Sequence, residues 1–173
     1  LSDRKGVFEL IQAYNSLDIN DKENTGLVFV GAGELLQKMT DYKNEFNLDN
    51  VYILGHQTKE VVKELLSICD IFILPTKQDP NPLSPIEAAF LKKPLLVSSK
   101  AGNSKDLILN NENGWIINEI REEDLIKNIN KIAQTDRSHL EQMGEKSFKI
   151  VSASFTRKKA SQKLISFLQK IKK

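Results

Sequence analysis

Five short runs of apolar residues, which do not alternate with polar residues, constrain most strongly what this chain can fold into. Each run is followed by a turn or a loop, and together they occupy residues 27–30, 51–54, 71–74, 94–98 and 114–117. Strands that are apolar on both faces are typical of parallel sheets covered by helices on both sides. The pattern therefore predicts an α/β fold, a doubly wound Rossmann-like parallel sheet with helices on both faces, in a single domain over residues 1–173.

Amphipathic segments separate the apolar runs and continue beyond residue 121. Apolar residues at helical spacing predict helices near 6–17, 34–46, 61–66, 85–92 and 104–109. The basic segment 155–173 also has helical spacing, with one apolar face made of Leu164, Phe167, Leu168 and Ile171. This last helix either packs on the domain with its lysines in solvent or rests on an anionic lipid surface, and packing is the favoured interpretation.

The composition argues against several classes of protein. The formal net charge is +2, from 25 basic and 23 acidic residues, whereas nucleic-acid binding requires a concentrated basic excess. No apolar run approaches the roughly 20 residues that span a bilayer. Cys69 is the only cysteine, so no internal disulfide can form. Because the chain has neither an Asp-x-Asp motif nor a Cys/His cluster with metal-ligand spacing, no metal and no cofactor are expected.

The loop at 75–84 is the most informative segment, since ligands of doubly wound domains bind beyond the carboxyl ends of the strands. It enters a helix whose start matches a capping box, with Ser84 at the N-cap, Pro85 at the first helical position and Glu87 three residues after the cap. Such a helix start offers free N–H groups to an anion, and a diphosphate fits there. The residues alone leave simpler interpretations open: Glu87 as a cap and Asp79 as a turn residue.

Several motifs occur along the chain in an order and spacing that suggest a family. They are Lys5-Gly6-Val7, Val28-Phe-Val-Gly31-Ala-Gly33, Val51-Tyr-Ile-Leu-Gly55, Cys69-Asp70-Ile-Phe-Ile-Leu-Pro75-Thr76, Asp79-x7-Glu87-Ala-Ala, Lys93-Pro94-Leu95-Leu96-Val97, Ala101-Gly102-Asn103 and Asn113-Gly114-Trp115. Together they resemble the donor-binding, C-terminal domain of the family-4 glycosyltransferases, retaining enzymes of GT-B architecture among the glycosyl transferases group 1. The resemblance spans roughly residues 3–120, and it implies one half of a GT-B fold.

The resemblance implies roles for the matching residues. Lys5 would neutralise the diphosphate as it leaves, and Asp79 would hold hydroxyls of the transferred sugar, so these two are the expected catalytic residues. Glu87 would accept hydrogen bonds from the ribose hydroxyls of the donor. Carboxylates are good acceptors for hydroxyls, and lysine is a strong point charge for phosphate.

Further donor contacts would come from the backbone N–H groups of Leu83 and Ser84, from Gly33, and from His56 near the base. Three positions depart from the family pattern. Asp79 replaces the usual Glu and is one methylene shorter, Pro82 replaces a Gly and lacks an N–H, and Lys93 replaces the Gly before Pro94.

For the whole protein the resemblance implies transfer of a sugar from a nucleoside-diphosphate sugar to a sugar or lipid-linked acceptor, with retention, in polysaccharide biosynthesis. The acceptor-binding domain and the first, central strand of this domain are expected to precede Leu1. The expected location is cytoplasmic, with the inner face of the membrane as an alternative. Two other functions stay open: a sugar-nucleotide epimerase of GT-B architecture, and a non-catalytic sugar-nucleotide-binding module, which Asp79 and Pro82 would favour.

Overall fold

All five predicted strands are present, each within one residue of its predicted ends. The computed structural model describes residues 1–156 together with residues 159, 161 and 165, apart from the side chains of residues 19–21. The strands are β1 (Leu27–Phe29), β2 (Val51–Ile53), β3 (Phe72–Leu74), β4 (Leu95–Ser98) and β5 (Gly114–Ile117). Every strand pairing is parallel. The turns and loops that follow the strands of one sheet therefore lie at one edge of it, as the sequence predicts.

Helices connect the strands and follow the last of them. They are α1 (Val7–Asn15), α2 (Ile19–Asn24), α3 (Leu36–Glu45), α4 (Lys59–Ile68), α5 (Ser84–Phe90), α6 (Ser104–Leu107), α7 (Glu122–Ala133) and α8 (Arg137–Ser154). Helix α2 was not predicted, because its sequence Ile-Asn-Asp-Lys-Glu-Asn has no apolar stripe. The apolar face proposed for 155–173 lies outside the described residues.

Strand β4 has helices on both faces. Leu96 packs in a core that includes residues of α1 and α7, whereas Leu95 and Val97 pack in a second core with residues of α5, α6 and α8. All three side chains are fully buried. Because successive side chains of a strand point to opposite faces of the sheet, both faces of β4 are covered, and the predicted α/β class is confirmed.

The strands form two hydrogen-bonded sheets in the described part of the chain, rather than the single sheet predicted. One sheet contains β1 and β2, and the other has the order β3-β4-β5. No described strand pairs with both β1 and β3, which explains the division. The two sheets still share one core, because Phe29 and Val51 belong to the same cluster as Leu96, Trp115 and Ile117.

The first residues of the chain join the carboxyl ends of β1 and β3. The N–H of Leu35, beyond β1, donates to the carbonyl of Leu1 at 3.2 Å, and the N–H of Lys77, beyond β3, donates to the carbonyl of Arg4 at 2.8 Å. Gly6 has a φ of 66°, and a Cβ there would lie 1.9 Å from the carbonyl oxygen of Pro75. Only glycine fits this close approach, so the Lys-Gly pair is fixed beside the 75–84 loop.

Lys93, which departs from the family pattern, has a structural explanation. Its ammonium Nζ donates to the carbonyl oxygens of Ser67 and Cys69, both at 2.7 Å. These carbonyls lie at the C-terminal end of α4, where helical carbonyls lack intrahelical partners and a positive charge is favourable. Lys93 therefore stabilises the end of α4.

No helix in the described ranges combines the length and the apolar character needed to cross a bilayer.

Candidate functional site

The site is built around a short 3₁₀ turn, Asp3–Lys5, that packs against the start of the 75–84 loop. The Thr76 hydroxyl donates to the carbonyl of Arg4 at 2.8 Å. The Lys77 ammonium lies 2.7 Å from the carboxylate of Asp3 and 2.6 Å from that of Glu9. These bonds fix the turn to the loop, so the side chain of Lys5 is held at the edge of the sheet where the strands end.

Lys5 and Asp79, 74 positions apart in the sequence, form an ion pair at this edge. Lys5 Nζ lies 2.5 Å from Asp79 Oδ2. The side chain of Asp79 is 11% exposed and that of Lys5 is 29% exposed. Arg4 adds a second positive charge, with its Nη1 3.6 Å from Asp79 Oδ1. The structure therefore brings together the two residues predicted to be catalytic, and pairs them with each other.

The Lys5 ammonium controls the ionisation of Asp79. Burial disfavours the charged carboxylate and by itself would raise the pKa of Asp79. The hydrogen bond and the charge of Lys5 outweigh burial, and the Asn81 N–H and the charge of Arg4 act in the same direction. The pKa of Asp79 is therefore lowered. Asp79 is thus a carboxylate at neutral pH. In this state it accepts hydrogen bonds and donates none.

We expect Asp79→Asn to lower the free energy of unfolding at pH 7 by about 1.5–3 kcal/mol, the usual contribution of a hydrogen bond to a charged group. Because the pKa of Asp79 is lower in the folded chain, its contribution is present above the unfolded-state pKa of about 3.9. That contribution is lost as the pH falls through the folded-state pKa. Urea unfolding of both proteins should therefore show a difference that shrinks from pH 7 toward acid pH.

Asp124→Asn is the control for this measurement, because Asp124 pairs with Arg121 on the surface at 2.8 Å. Exposed pairs contribute about 0–1 kcal/mol, so this change should have a small effect at both pH values. An Asp79→Asn difference that is equally large at pH 7 and at acid pH would show that the ion pair is not its cause.

Backbone bonds hold the 79–82 segment on the segment that follows β4. The N–H of Asp79 donates to the carbonyl of Lys100 at 3.2 Å, and the N–H of Gly102 donates to the carbonyl of Asp79 at 2.8 Å. A Cβ on Gly102 would lie 2.0 Å from the carbonyl oxygen of Pro80, so glycine allows the two segments to touch. We call residues 100–103 the strap.

The start of α5 differs from the predicted capping box. The helix begins at Ser84, and Leu83 precedes it with φ −84° and ψ −30°. The N-cap residue must itself lie outside the helix, normally with extended backbone, whereas Ser84 is already the first helical residue, so the prediction that Ser84 is the N-cap was wrong. No side-chain cap bond forms at this helix start.

Glu87 is consequently not a capping-box residue. Its carboxylate is exposed in the first turn of α5, and within the described ranges no side-chain hydrogen bond to it is found. The N–H groups of Leu83 and Ser84 also donate to no backbone carbonyl in that part of the chain. The loop and the first turn of α5 therefore present an acceptor and two donors that the protein itself does not use.

The structure does not bring Gly33 or His56 into hydrogen-bond contact with Lys5 or Asp79, as far as the described residues show. Gly33 has a φ of 149°, and a Cβ there would lie 2.2 Å from the carbonyl oxygen of Leu1, so this glycine is needed for packing. His56 is exposed on the turn after β2. The donor roles predicted for both residues stay predictions.

Sequence reasoning missed two residues of this site. Arg4 faces Asp79 beside Lys5, and its only signal was its place next to Lys5. Asn103 is 5% exposed and donates from Nδ2 to the carbonyl of Pro82 at 2.7 Å. Its place in the motif Ala101-Gly102-Asn103 was a signal for the family, but it gave Asn103 no role, because buried and exposed loop asparagines look alike in a sequence.

Nothing in the described ranges groups three or more His, Cys, Asp or Glu residues as a metal site would. The prediction that no metal and no cofactor is required stays a prediction.

Comparisons with known proteins agree with the fold and identify a family. The family model described as "Glycosyl transferases group 1" matches residues 1–150. An uncharacterized glycosyltransferase of Methanocaldococcus jannaschii, MJ1607, is 27% identical over 118 residues, which cover 67% of this chain and 30% of that protein.

Two solved structures illustrate the likeness of fold. Anabaena Alr3699/HepE, in complex with UDP, is 20% identical with a TM-score of 0.82, over 98% of this chain and 46% of that one. Sucrose-phosphate synthase from Thermosynechococcus elongatus is 20% identical with a TM-score of 0.81, over 98% of this chain and 43% of that one. The chain thus spans less than half the length of these relatives.

Proposed function

Because the chain belongs to the glycosyl transferases group 1 family, we propose that the whole protein transfers a hexosyl or related sugar from a nucleoside-diphosphate sugar to an acceptor hydroxyl. This domain would hold the donor, and the anomeric configuration would be retained. The acceptor, a sugar or a lipid-linked sugar, would bind to the rest of the protein, in the cytoplasm or at the inner face of the membrane. UDP is the first nucleotide to test, because the Anabaena relative was solved with it.

The observation that carries the proposal is the position of the Lys5 ammonium. It lies at the edge where the strands end, 2.5 Å from Oδ2 of Asp79 in the 75–84 loop. Farther along that loop, the N–H groups of Leu83 and Ser84 donate to no backbone carbonyl among the described residues. A positive charge and backbone N–H groups on one loop are suited to a diphosphate.

The chemistry needs positive charge where the leaving group develops its negative charge. The bond between the sugar carbon and the diphosphate oxygen breaks, and the electron pair stays on the diphosphate. The oxygen of the acceptor hydroxyl bonds to the same carbon, and its proton would pass to the departing diphosphate oxygen. Lys5 and the two N–H groups would stabilise the diphosphate as it leaves, and such preorganised stabilisation is often the largest catalytic contribution.

Asp79 has two roles in this proposal. The family resemblance implies that Asp79 binds hydroxyls of the transferred sugar. Its ion pair supports a second role, which is to hold Lys5 in place. Because Asp79 is only 8% exposed, a sugar hydroxyl would reach the carboxylate only at its exposed edge. Lys5 would then be shared between Asp79 and the diphosphate when the donor is bound.

Glu87→Ala in the full-length protein should weaken donor binding about tenfold or more while changing stability little. The carboxylate would accept hydrogen bonds from the ribose hydroxyls, and charge-assisted bonds contribute about 1.5–3 kcal/mol. Because Glu87 forms no cap, its removal should cost less than about 1 kcal/mol of folding stability. Donor titration and thermal unfolding of the same variant check both parts. A variant that is less stable but binds donor normally would leave Glu87 with a structural role only.

An assay of the full-length protein separates the open functions. The protein is incubated with EDTA, a panel of nucleoside-diphosphate sugars and sugar or lipid-linked acceptors, and the products are examined by NMR. We expect a glycoside with the anomeric configuration of the donor. A sugar nucleotide with one inverted centre would indicate an epimerase. Binding of donor without any product would indicate a binding module, and loss of activity in EDTA would contradict the metal-free site.

A further inference from the structure

We propose that Asn103, through its hydrogen bond to Pro82, is a positioning residue that fixes the direction of the Leu83 N–H for the donor diphosphate; this rests on the proposed function. Asn103 belongs to the strap and lies outside the predicted donor contacts. It would not touch the donor itself.

The side-chain amide of Asn103 binds the 75–84 loop. Its Nδ2 donates to the carbonyl oxygen of Pro82 at 2.7 Å, in a buried setting, and approaches Asn81 Oδ1 at 3.4 Å. The opposite orientation of the amide would bring two acceptors together at Pro82, so the N–H side must face the loop.

Asn103 does not cap the helix that follows it. It is the residue before α6, but its φ of −100° and ψ of 4° are not the extended conformation of a capping residue, and its side chain makes no cap bond. Its buried Oδ1 has no partner in the described part of the chain. Buried polar atoms without a partner are rare and call for an explanation. The bond to Pro82 supplies one, because the amide is oriented for the loop instead of for α6.

Peptide geometry carries the effect from Asn103 to Leu83. The Pro82–Leu83 peptide is trans, so its planar unit directs the Pro82 carbonyl and the Leu83 N–H to opposite sides. When Asn103 holds that carbonyl toward the interior, the N–H must point away from it. Leu83 is 64% exposed, and this N–H donates to no backbone carbonyl among the described residues.

Proline at position 82 makes the direction of the Leu83 N–H more important. Pro82 has no N–H of its own, so Leu83 supplies the first donor after it on the way to α5. The backbone bonds between Asp79 and the strap hold the beginning of the segment. Asn103 holds its end, and without it the Pro82–Leu83 peptide could rotate without breaking any of those backbone bonds.

A double-mutant cycle in the full-length protein tests the inference, with calorimetric titration of UDP and other nucleoside diphosphates. Asn103→Ala should weaken binding about tenfold, which is about 1.4 kcal/mol. Leu83→Pro removes the N–H at a residue whose φ of −84° is close to that of proline, and should weaken binding by a similar factor. If Asn103 acts through this N–H, the double variant should bind no more weakly than Leu83→Pro.

Asn113→Ala is the matched control. Asn113 is also a fully buried asparagine that donates to a backbone carbonyl, that of Leu107 at 2.9 Å, but it lies away from the loop. The Asn113→Ala variant should have a lower free energy of unfolding. Its nucleotide affinity should stay within about twofold of wild type at a temperature where the protein is folded. If Asn103→Ala does not fold, Asn103→Ser replaces it in the cycle.

The outcomes are distinct. Equal affinity of the Leu83→Pro and double variants supports the inference. A double variant whose affinity falls by the product of the two single effects, about a hundredfold, overturns the inference. An Asn103 variant that is destabilised like the control but binds the nucleotide normally also overturns it. A wild-type protein that binds no nucleoside diphosphate refutes the proposed function itself, and the inference with it.

Discussion

Lys5→Ala in the full-length protein should lower kcat/KM for sugar transfer by about 10²–10³-fold, the loss typical for removal of one preorganised donor from a developing anion. Two features hold Lys5 in place. Asp79 orients its ammonium at 2.5 Å, and Gly6 lets the backbone approach Pro75. Most of the loss should appear in kcat, because the negative charge on the leaving diphosphate grows in the transition state.

Lys146→Ala is the control for this change, since Lys146 pairs with Glu112 on the surface, away from the loop. Its removal should leave kcat/KM unchanged, because exposed ion pairs contribute little. Steady-state kinetics and thermal unfolding should be measured for both variants. If Lys5→Ala only reduces stability and keeps wild-type kcat/KM, the assignment of Lys5 to the leaving group is wrong.

The chain of residues 1–173, expressed alone, should show no sugar transfer and only weak donor binding. It spans 46% or less of the solved structures described above, and the acceptor is proposed to bind outside it. Holding two reactants in the right geometry can lower a barrier by about 7–11 kcal/mol, and a chain that binds only the donor would not supply this. The sugar of a bound donor would face solvent.

Product analysis of this shorter chain with donor and a range of sugar and lipid acceptors checks the prediction. Slow or absent hydrolysis of the donor is expected, with the full-length protein as the positive control. Measurable transfer by residues 1–173 would contradict the proposal that donor and acceptor are held by different parts of the protein.

The strands and the location of the candidate site could be predicted from the sequence, because both predictions follow from local patterns. A fully apolar run such as 95–97 must be covered on both faces of its sheet, and the structure places Leu95 and Leu96 in separate cores. In a parallel sheet the loops after the strands lie at one edge. That rule predicts a site at the 75–84 loop, where the structure pairs Lys5 with Asp79.

Contacts between distant residues and small differences in backbone angle could not be predicted. The family resemblance places Lys5 and Asp79 in one site, but their direct ion pair joins residues 74 positions apart, and no local pattern encodes it. Whether Ser84 caps α5 depends on whether Ser84 itself lies inside the helix, which the sequence Ser-Pro-x-Glu does not determine. Nothing in the sequence indicates that β1 and β3 belong to separate sheets, because the apolar runs of both strands resemble that of a paired central strand.

The central claim is that the Lys5 ammonium and the N–H groups of Leu83 and Ser84 bind a diphosphate. The most direct measurement is a crystal structure of the full-length protein with a bound nucleoside diphosphate. We predict phosphate oxygens within hydrogen-bond distance, roughly 2.7–3.2 Å, of Lys5 Nζ and of these two N–H groups, with ribose hydroxyls on Glu87. A nucleotide bound elsewhere, or one whose phosphates contact neither Lys5 nor the start of α5, would contradict the account.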